Sequence, residues 1–169
     1  YTPSLAMLGW GTEFLDADLD GWLDLVVING HLEDRTRFGE PFRMPGQIFR
    51  NDGQGRFTEV PVDAVGKWFE KPRLGRALAT VDWNRDGQTD LAVTSLDSPA
   101  ALLLGDMNPV GNFISILLKG TISERDAIGA KVVLEAAGLR QVHALTTGDG
   151  YQTSNQRRIH MGLGEATII

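Results

Sequence analysis

The chain has 169 residues, 42% of them hydrophobic, which supports a buried core and excludes a disordered segment. A net charge of -6 without any basic patch of interleaved aromatics excludes a nucleic-acid surface, and no stretch resembles a membrane span or a signal peptide. The lack of cysteine excludes disulfides and thiolate metal sites, while 20 glycines and 7 prolines point to many turns and short elements, hence an all-β chain.

In chain order, residues 5–15 read as a first strand, with Gly9-Trp10-Gly11 marking a bulge or a close approach. The strand runs into Asp16-Ala17-Asp18-Leu19-Asp20-Gly21-Trp22-Leu23-Asp24, which is followed by the apolar run Leu25-Val26-Val27-Ile28 and an Asn29-Gly30 turn. Sixty-six residues after Asp16 the pattern returns as Asp82-Trp83-Asn84-Arg85-Asp86-Gly87-Gln88-Thr89-Asp90, again with a strand-like tail, Leu91-Ala92-Val93. The spacing D-x-[DN]-x-D-G-x-x-D suits a hard dication such as Ca²⁺. Such an ion takes six to eight oxygen ligands, and carboxylates two residues apart converge only where the backbone curls around it. Glycine at the sixth position permits that curl. Asp16, Asp18 and Asp20, and then Asp82, Asn84 and Asp86, are expected to supply side-chain oxygens. Trp22 and Gln88 are expected to supply backbone carbonyls, and Asp24 and Asp90 a last carboxylate. Two Ca²⁺ sites are therefore predicted, the second weakened by Asn84.

Two rivals share parts of this motif. An EF-hand loop needs a bidentate Glu at position twelve and flanking helices, but that position is Val27 in the first loop and Val93 in the second. An aspartate-nucleophile phosphatase shares the Phe14-Leu15-Asp16-Ala17-Asp18 opening. It calls for a hydroxyl residue where Leu19 stands, and a catalytic loop has no reason to be duplicated. The acidity is also local. Setting aside the seven acids of the two loops leaves 15 of the 22 acidic residues against 16 basic ones.

After a charged, irregular stretch at 31–45, Gln47 to Arg50, then Asn51-Asp52-Gly53-Gln54-Gly55, then Arg56 to Val60 form a strand, a glycine-rich turn and a strand, a strong hairpin signal. Asp52 reads as a turn residue rather than a third metal site. The second repeat begins at Leu74 and has a weaker hairpin, Leu102 to Asp106 running toward Phe113. The unit is thus strand, Asp-rich loop, strand, hairpin, a size that suits a propeller blade which stacks on its neighbours to bury its faces.

From Leu8-Gly9-Trp10-Gly11 through the DxDxDGxxDL core to Arg50-Asn51-Asp52-Gly53-x-Gly55-x-Phe57, the two units resemble FG-GAP/VCBS repeats. That resemblance implies calcium-binding propeller blades of extracellular or cell-surface proteins. The last third alternates as strands from Phe113 to Leu118, and 131–145 reads as two strands around Gly138 rather than as a helix. There Arg125-Asp126-Ala127-Ile128-Gly129-Ala130-Lys131-Val132, Gly148-Asp149-Gly150-Tyr151 and His160-Met161-Gly162-Leu163-Gly164 resemble the ASPIC/UnbV domain that follows FG-GAP repeats in cartilage-acidic-protein-like secreted proteins. The expected layout is two repeats at about 5–60 and 74–112, within 1–112, and a C-terminal β-domain at 113–169. Both ends look cut, so the expectation is a fragment of a longer propeller whose exposed blade edges favour self-association.

His31, His143 and His160 lack metal spacing or an adjacent nucleophile, and no serine-hydrolase, zinc, phosphate-loop or dinucleotide motif occurs. Trp22 and Trp83 are expected to pack over the blade surface and Tyr151 to pack in the core. The expectation is a calcium-binding, non-catalytic scaffold for adhesion or for recognition of a protein or glycan. It needs no nucleic acid or membrane insertion and belongs outside the cytosol, in extracellular, periplasmic or cell-surface space, where calcium is abundant. The alternative is an accessory or enzymatic module with its active site elsewhere in a longer protein or in the Gly148–Tyr151 loop.

Overall fold

In the computed structural model, which describes residues 3–107, 111–136 and 138–167, the only helical turns among those residues are short 3-10 turns at Thr36–Phe38 and Val62–Ala64. The rest of the regular structure is β, as the glycine-rich, alternating sequence requires. The first sheet contains β1 (Gly9–Leu15), β2 (Asp24–Asn29), β3 (Gln47–Asn51) and β4 (Phe57–Glu59) in sequential antiparallel order. The second contains β5 (Gly75–Val81), β6 (Asp90–Ser95) and β7 (Ala101–Leu103) in the same order.

The repeat is visible residue by residue. Leu15 pairs with Asp24 and Val81 with Asp90, so each Asp-rich loop is closed by the same rung. The ladder slips between Gly9 and Thr12 in the first sheet and between Gly75 and Leu78 in the second, which places the predicted bulge at equivalent positions. Strand β1 starts at Gly9 rather than Leu5; the preceding residues form a turn in which Leu5 is exposed.

The two sheets share one core of Leu15, Val26, Ile28, Leu78, Leu91 and Val93, drawn from the inward positions of the period-two alternation, completed by Phe69 from the turn between the sheets. Close approach depends on two glycines: a Cβ at Gly11 would stand 2.6 Å from Leu78 Cβ, and one at Gly75 would overlap the Ile28 side chain. A buried Arg76 seals the junction. Its guanidinium lies over the Trp10 ring at 4.5 Å and donates to the His31 carbonyl at 3.0 Å.

Among the described residues the hairpin predicted between Leu102 and Phe113 is not seen, and its turn at 108–110 lies outside them. Strand β7 ends at Leu103, and Phe113 belongs to β8 (Asn112–Ile116), which pairs with β11 (Ile159–Gly164). The chain is diverted because Asp90 Oδ1 accepts from Gly105 N–H at 2.8 Å and Gln88 Oε1 from Met107 N–H at 2.7 Å, tying this segment to the second loop. The predicted pair of strands around Gly138 is present as β9 (Lys131–Ala136) and β10 (Leu139–Ala144), in register from Lys131 opposite Ala144. A separate small core of Leu134, Leu145, Ile159 and Met161 unites the two C-terminal sheets.

The C-terminal part is fastened along β5. Gln156 N–H donates to Thr80 O at 3.0 Å, Thr80 N–H to Asn155 Oδ1 at 2.7 Å, and Thr153 Oγ1 to Leu78 O at 2.9 Å.

Candidate metal centre

Both Asp-rich loops adopt the same backbone. Position four is left-handed, at φ 58° for Leu19 and 62° for Arg85, and so is position six, at φ 92° for Gly21 and 88° for Gly87. Glycine takes that region without steric penalty, whereas a side chain there costs roughly 1–2 kcal/mol. Leu19 nevertheless occupies it while almost fully buried, so its surroundings must hold it there.

In the first loop Asp16, Asp18 and Asp20 each present an oxygen to one point, with those oxygens within 4.8 Å of one another. Asp16 is at the bottom, 7% exposed, and accepts from Asp20 N–H at 3.0 Å and Gly21 N–H at 2.8 Å. Asp20 accepts from Trp22 N–H at 2.8 Å. Burial, augmented by the Asp20 and Asp18 charges and opposed by the Gly21 amide, pushes the Asp16 carboxyl up to about 7. Burial raises Asp20 as well. An oxygen-only donor set carrying concentrated, poorly solvated negative charge fits a hard dication and offers nothing to a soft metal.

Arg50, from β3, stands against this cluster, with its guanidinium 2.6 Å from Asp18 Oδ2 and 3.9 Å from Asp20 Oδ2. It was invisible as a site residue because 32 residues separate it from Asp18. It supplies positive charge where a bound cation would, so Arg50→Gln is expected to tighten cation binding. For a half-exposed ion pair the gain is about 2- to 5-fold. Calorimetric titration would read this directly, and weaker binding would mean instead that Arg50 orients the carboxylates.

Asp24, predicted as the ninth-position ligand, lies outside the cluster. Its Oδ1 accepts from Asn51 N–H at 2.9 Å and its Oδ2 from Ala17 N–H at 3.3 Å. Asp90 does the same in the second repeat, accepting from Gly105 N–H and Trp83 N–H, both at 2.8 Å. The ninth carboxylate therefore clamps the base of each loop to a later segment, the end of β3 in the first repeat and Gly105, just past β7, in the second.

The second loop is differently arranged around its expected donors. Asn84 donates to Asp86 Oδ2 at 2.7 Å, and Asp86 Oδ1 accepts from Gln88 N–H at 2.8 Å, matching Asp20 and Trp22. Asp82 turns toward the C-terminal part, its Oδ2 3.5 Å from His160 Nε2. The two tryptophans differ. Trp22 lies over the hairpin turn, where a Cβ on Gly53 would meet its ring at 2.7 Å, while Trp83 is 68% exposed, and among the described residues no equivalent turn lies beneath it. Asp52 caps the turn, accepting from Gln54 and Arg56 N–H, as expected.

Folding also brings Ser115 Oγ to 3.1 Å from His160 Nε2, a juxtaposition across 45 residues that the sequence did not reveal. It is not a nucleophilic relay. Serine and Asp82 both face Nε2, while Nδ1 is buried without a partner, whereas a relay needs base and orienter on opposite ring nitrogens. The Gly148–Tyr151 loop is largely exposed, and Tyr151, 38% exposed, lies at the surface rather than in the core where the sequence placed it. Tyr151 meets Trp10 edge-on at 4.9 Å, and Asp149 Oδ2 accepts from Asn155 N–H, which sets Asn155 Nδ2 on Glu13 Oε2 at 2.9 Å.

An FG-GAP-like repeat matches residues 16–93, and the domain described as ASPIC and UnbV matches residues 120–169. No curated protein matches the chain. The chain carries FG-GAP-like repeat units of the propeller-blade type followed by an ASPIC/UnbV domain.

Proposed function

We propose, with an FG-GAP-like repeat joined to an ASPIC/UnbV domain as the premise, that this chain is a calcium-stabilised, non-catalytic β-scaffold for protein or glycan recognition. The observation that carries the reading is the convergence of Asp16, Asp18 and Asp20 around a buried, poorly compensated carboxylate. Bound Ca²⁺ supplies positive charge there. The chain's own contribution is to hold three acidic side chains at one point and to clamp the loop at Asp24. Carboxylate loops of this kind suit calcium in the ~0.1 to 1 mM range, which supports a secreted, periplasmic or surface-exposed location for this scaffold. Among the described residues no helix is long and apolar enough to cross a membrane.

Two ions per chain are expected, with the second weaker. Asn84 removes one charge, and Asp82 has one oxygen turned to His160. A calorimetric Ca²⁺ titration of the EDTA-treated chain, with Mg²⁺ as comparison, tests this. Selective binding supports the reading; no heat and no stabilisation by calcium would remove it. The non-catalytic part of the reading is supported by the contacts that Tyr151 makes with Trp10 and Asp149 with Asn155, which give both side chains a structural role.

A further inference from the structure

Both Asp-rich loops are in direct contact with the C-terminal domain, and the first is built into it. Leu19 O accepts from Gly164 N–H at 2.8 Å, and Asp18 O accepts from the N–H of Gly111, in the segment that leads into β8, at 2.9 Å. Gly162 of β11 lies so close that a Cβ there would overlap Asp16 Oδ2 and meet the Leu19 backbone at 2.5 Å. On the other side, a Cβ on Gly21 would overlap the Leu139 side chain of β10, and Gln141 Nε2 secures Gly162 O at 2.6 Å. The second loop is covered from the same β8–β11 sheet: Phe113 sits on Gly87, and His160 faces Asp82.

These contacts fall on the residues whose unusual backbone closes the first loop. Leu19 and Gly21 are its two left-handed positions, and both touch the C-terminal domain. An isolated nine-residue loop would hold Leu19 in that region against its intrinsic preference. The domain contacts supply the missing constraint, and so they favour the same curl that brings Asp16, Asp18 and Asp20 together.

We propose that the C-terminal domain is a working part of the first cation site: its docking and divalent-cation binding reinforce each other through Leu19, Gly21 and Gly162. This rests on the calcium reading above and adds a partner to that site, the chain's own β10 and β11. Linkage makes the effect reciprocal. A domain that preorganises the loop raises cation affinity, and a bound cation tightens the domain by the same factor.

The test uses the whole chain. Leu139→Ala removes a contact with Gly21 without adding bulk, and Gly162→Ala drives a methyl group against Asp16. Couplings of this kind amount to about 5- to 150-fold; for Leu139→Ala we expect Ca²⁺ affinity at the tighter site to fall about 5-fold or more, with strand content by circular dichroism retained. In the wild-type chain, Ca²⁺ is expected to slow hydrogen exchange at the Gly111 and Gly164 amides by a similar factor. Wild-type Ca²⁺ affinity in a folded Leu139→Ala chain, together with Gly111 and Gly164 exchange that ignores Ca²⁺, overturns the coupling and leaves the calcium reading standing. Absence of Ca²⁺ binding in the wild-type chain overturns both. If Gly162→Ala fails to fold, Leu139→Ala and the exchange measurement decide the matter.

Discussion

Asp90→Ala is expected to destabilise the metal-free chain by roughly 2–5 kcal/mol, a large share of the stability of a domain this size. The Asp90 side chain is fully buried, and each oxygen accepts one backbone N–H, from Trp83 and from Gly105. Alanine would leave both donors in the interior without a partner, at about 1–3 kcal/mol each. Asp90→Asn keeps one acceptor and should cost about half as much. Urea unfolding in EDTA checks this, as a lower midpoint at unchanged slope. A loss below about 1 kcal/mol would contradict the clamp. A loss that appears only with calcium present would make Asp90 chiefly a metal ligand. Asp24→Ala should behave alike, since Asp24 holds Ala17 and Asn51 in the same way.

The second large effect is on pH. The metal-free chain is expected to lose stability as pH rises from about 4 to about 7, because the Asp16 carboxyl is raised by burial from 3.8 to about 7. The folded state then holds a proton that the unfolded state has released. This contribution is fully present below the unfolded value and gone above the folded one. Three pH units correspond to at most about 4 kcal/mol. Asp20, Asp24 and Glu13, all raised by burial, act in the same direction. A cation replaces the proton, so calcium should stabilise little at pH 5 and most at pH 8. Thermal midpoints in EDTA and in Ca²⁺ across this range measure the effect. Midpoints in EDTA that rise between pH 5 and pH 7, with the same slope in Asp16→Asn, would rule out Asp16 as the source.

The nine-residue loops were legible in the sequence because their requirements are short-range. Ligand spacing, glycine at position six and the β-branched tail all lie within a dozen residues, and the loops fold alike in both repeats. The bulge at Gly9, the hairpin at Asp52 and the paired strands around Gly138 were readable for the same reason. Among the described residues the predicted hairpin toward Phe113 is not seen, and Asp90 and Gln88 instead hold Gly105 and Met107 through contacts 15 and 19 residues away. Trp83 differs from its counterpart Trp22, which covers the Gly53 turn, because among the described residues of the second repeat no such turn lies beneath it.

The sequence by itself determined the all-β class, the duplicated unit and the positions of the acidic oxygens, since these follow from side-chain alternation and local dihedral demands. Only the tertiary structure decided how those oxygens are used. It made Asp16 a buried carboxylate, turned Asp24 and Asp90 into clamps, brought Arg50 against Asp18, and set Gly162 upon a loop more than 140 residues earlier in the chain. Burial, which sets both the cost of an unpaired charge and the value of a bound cation, depends on the whole fold rather than on any nine residues of it.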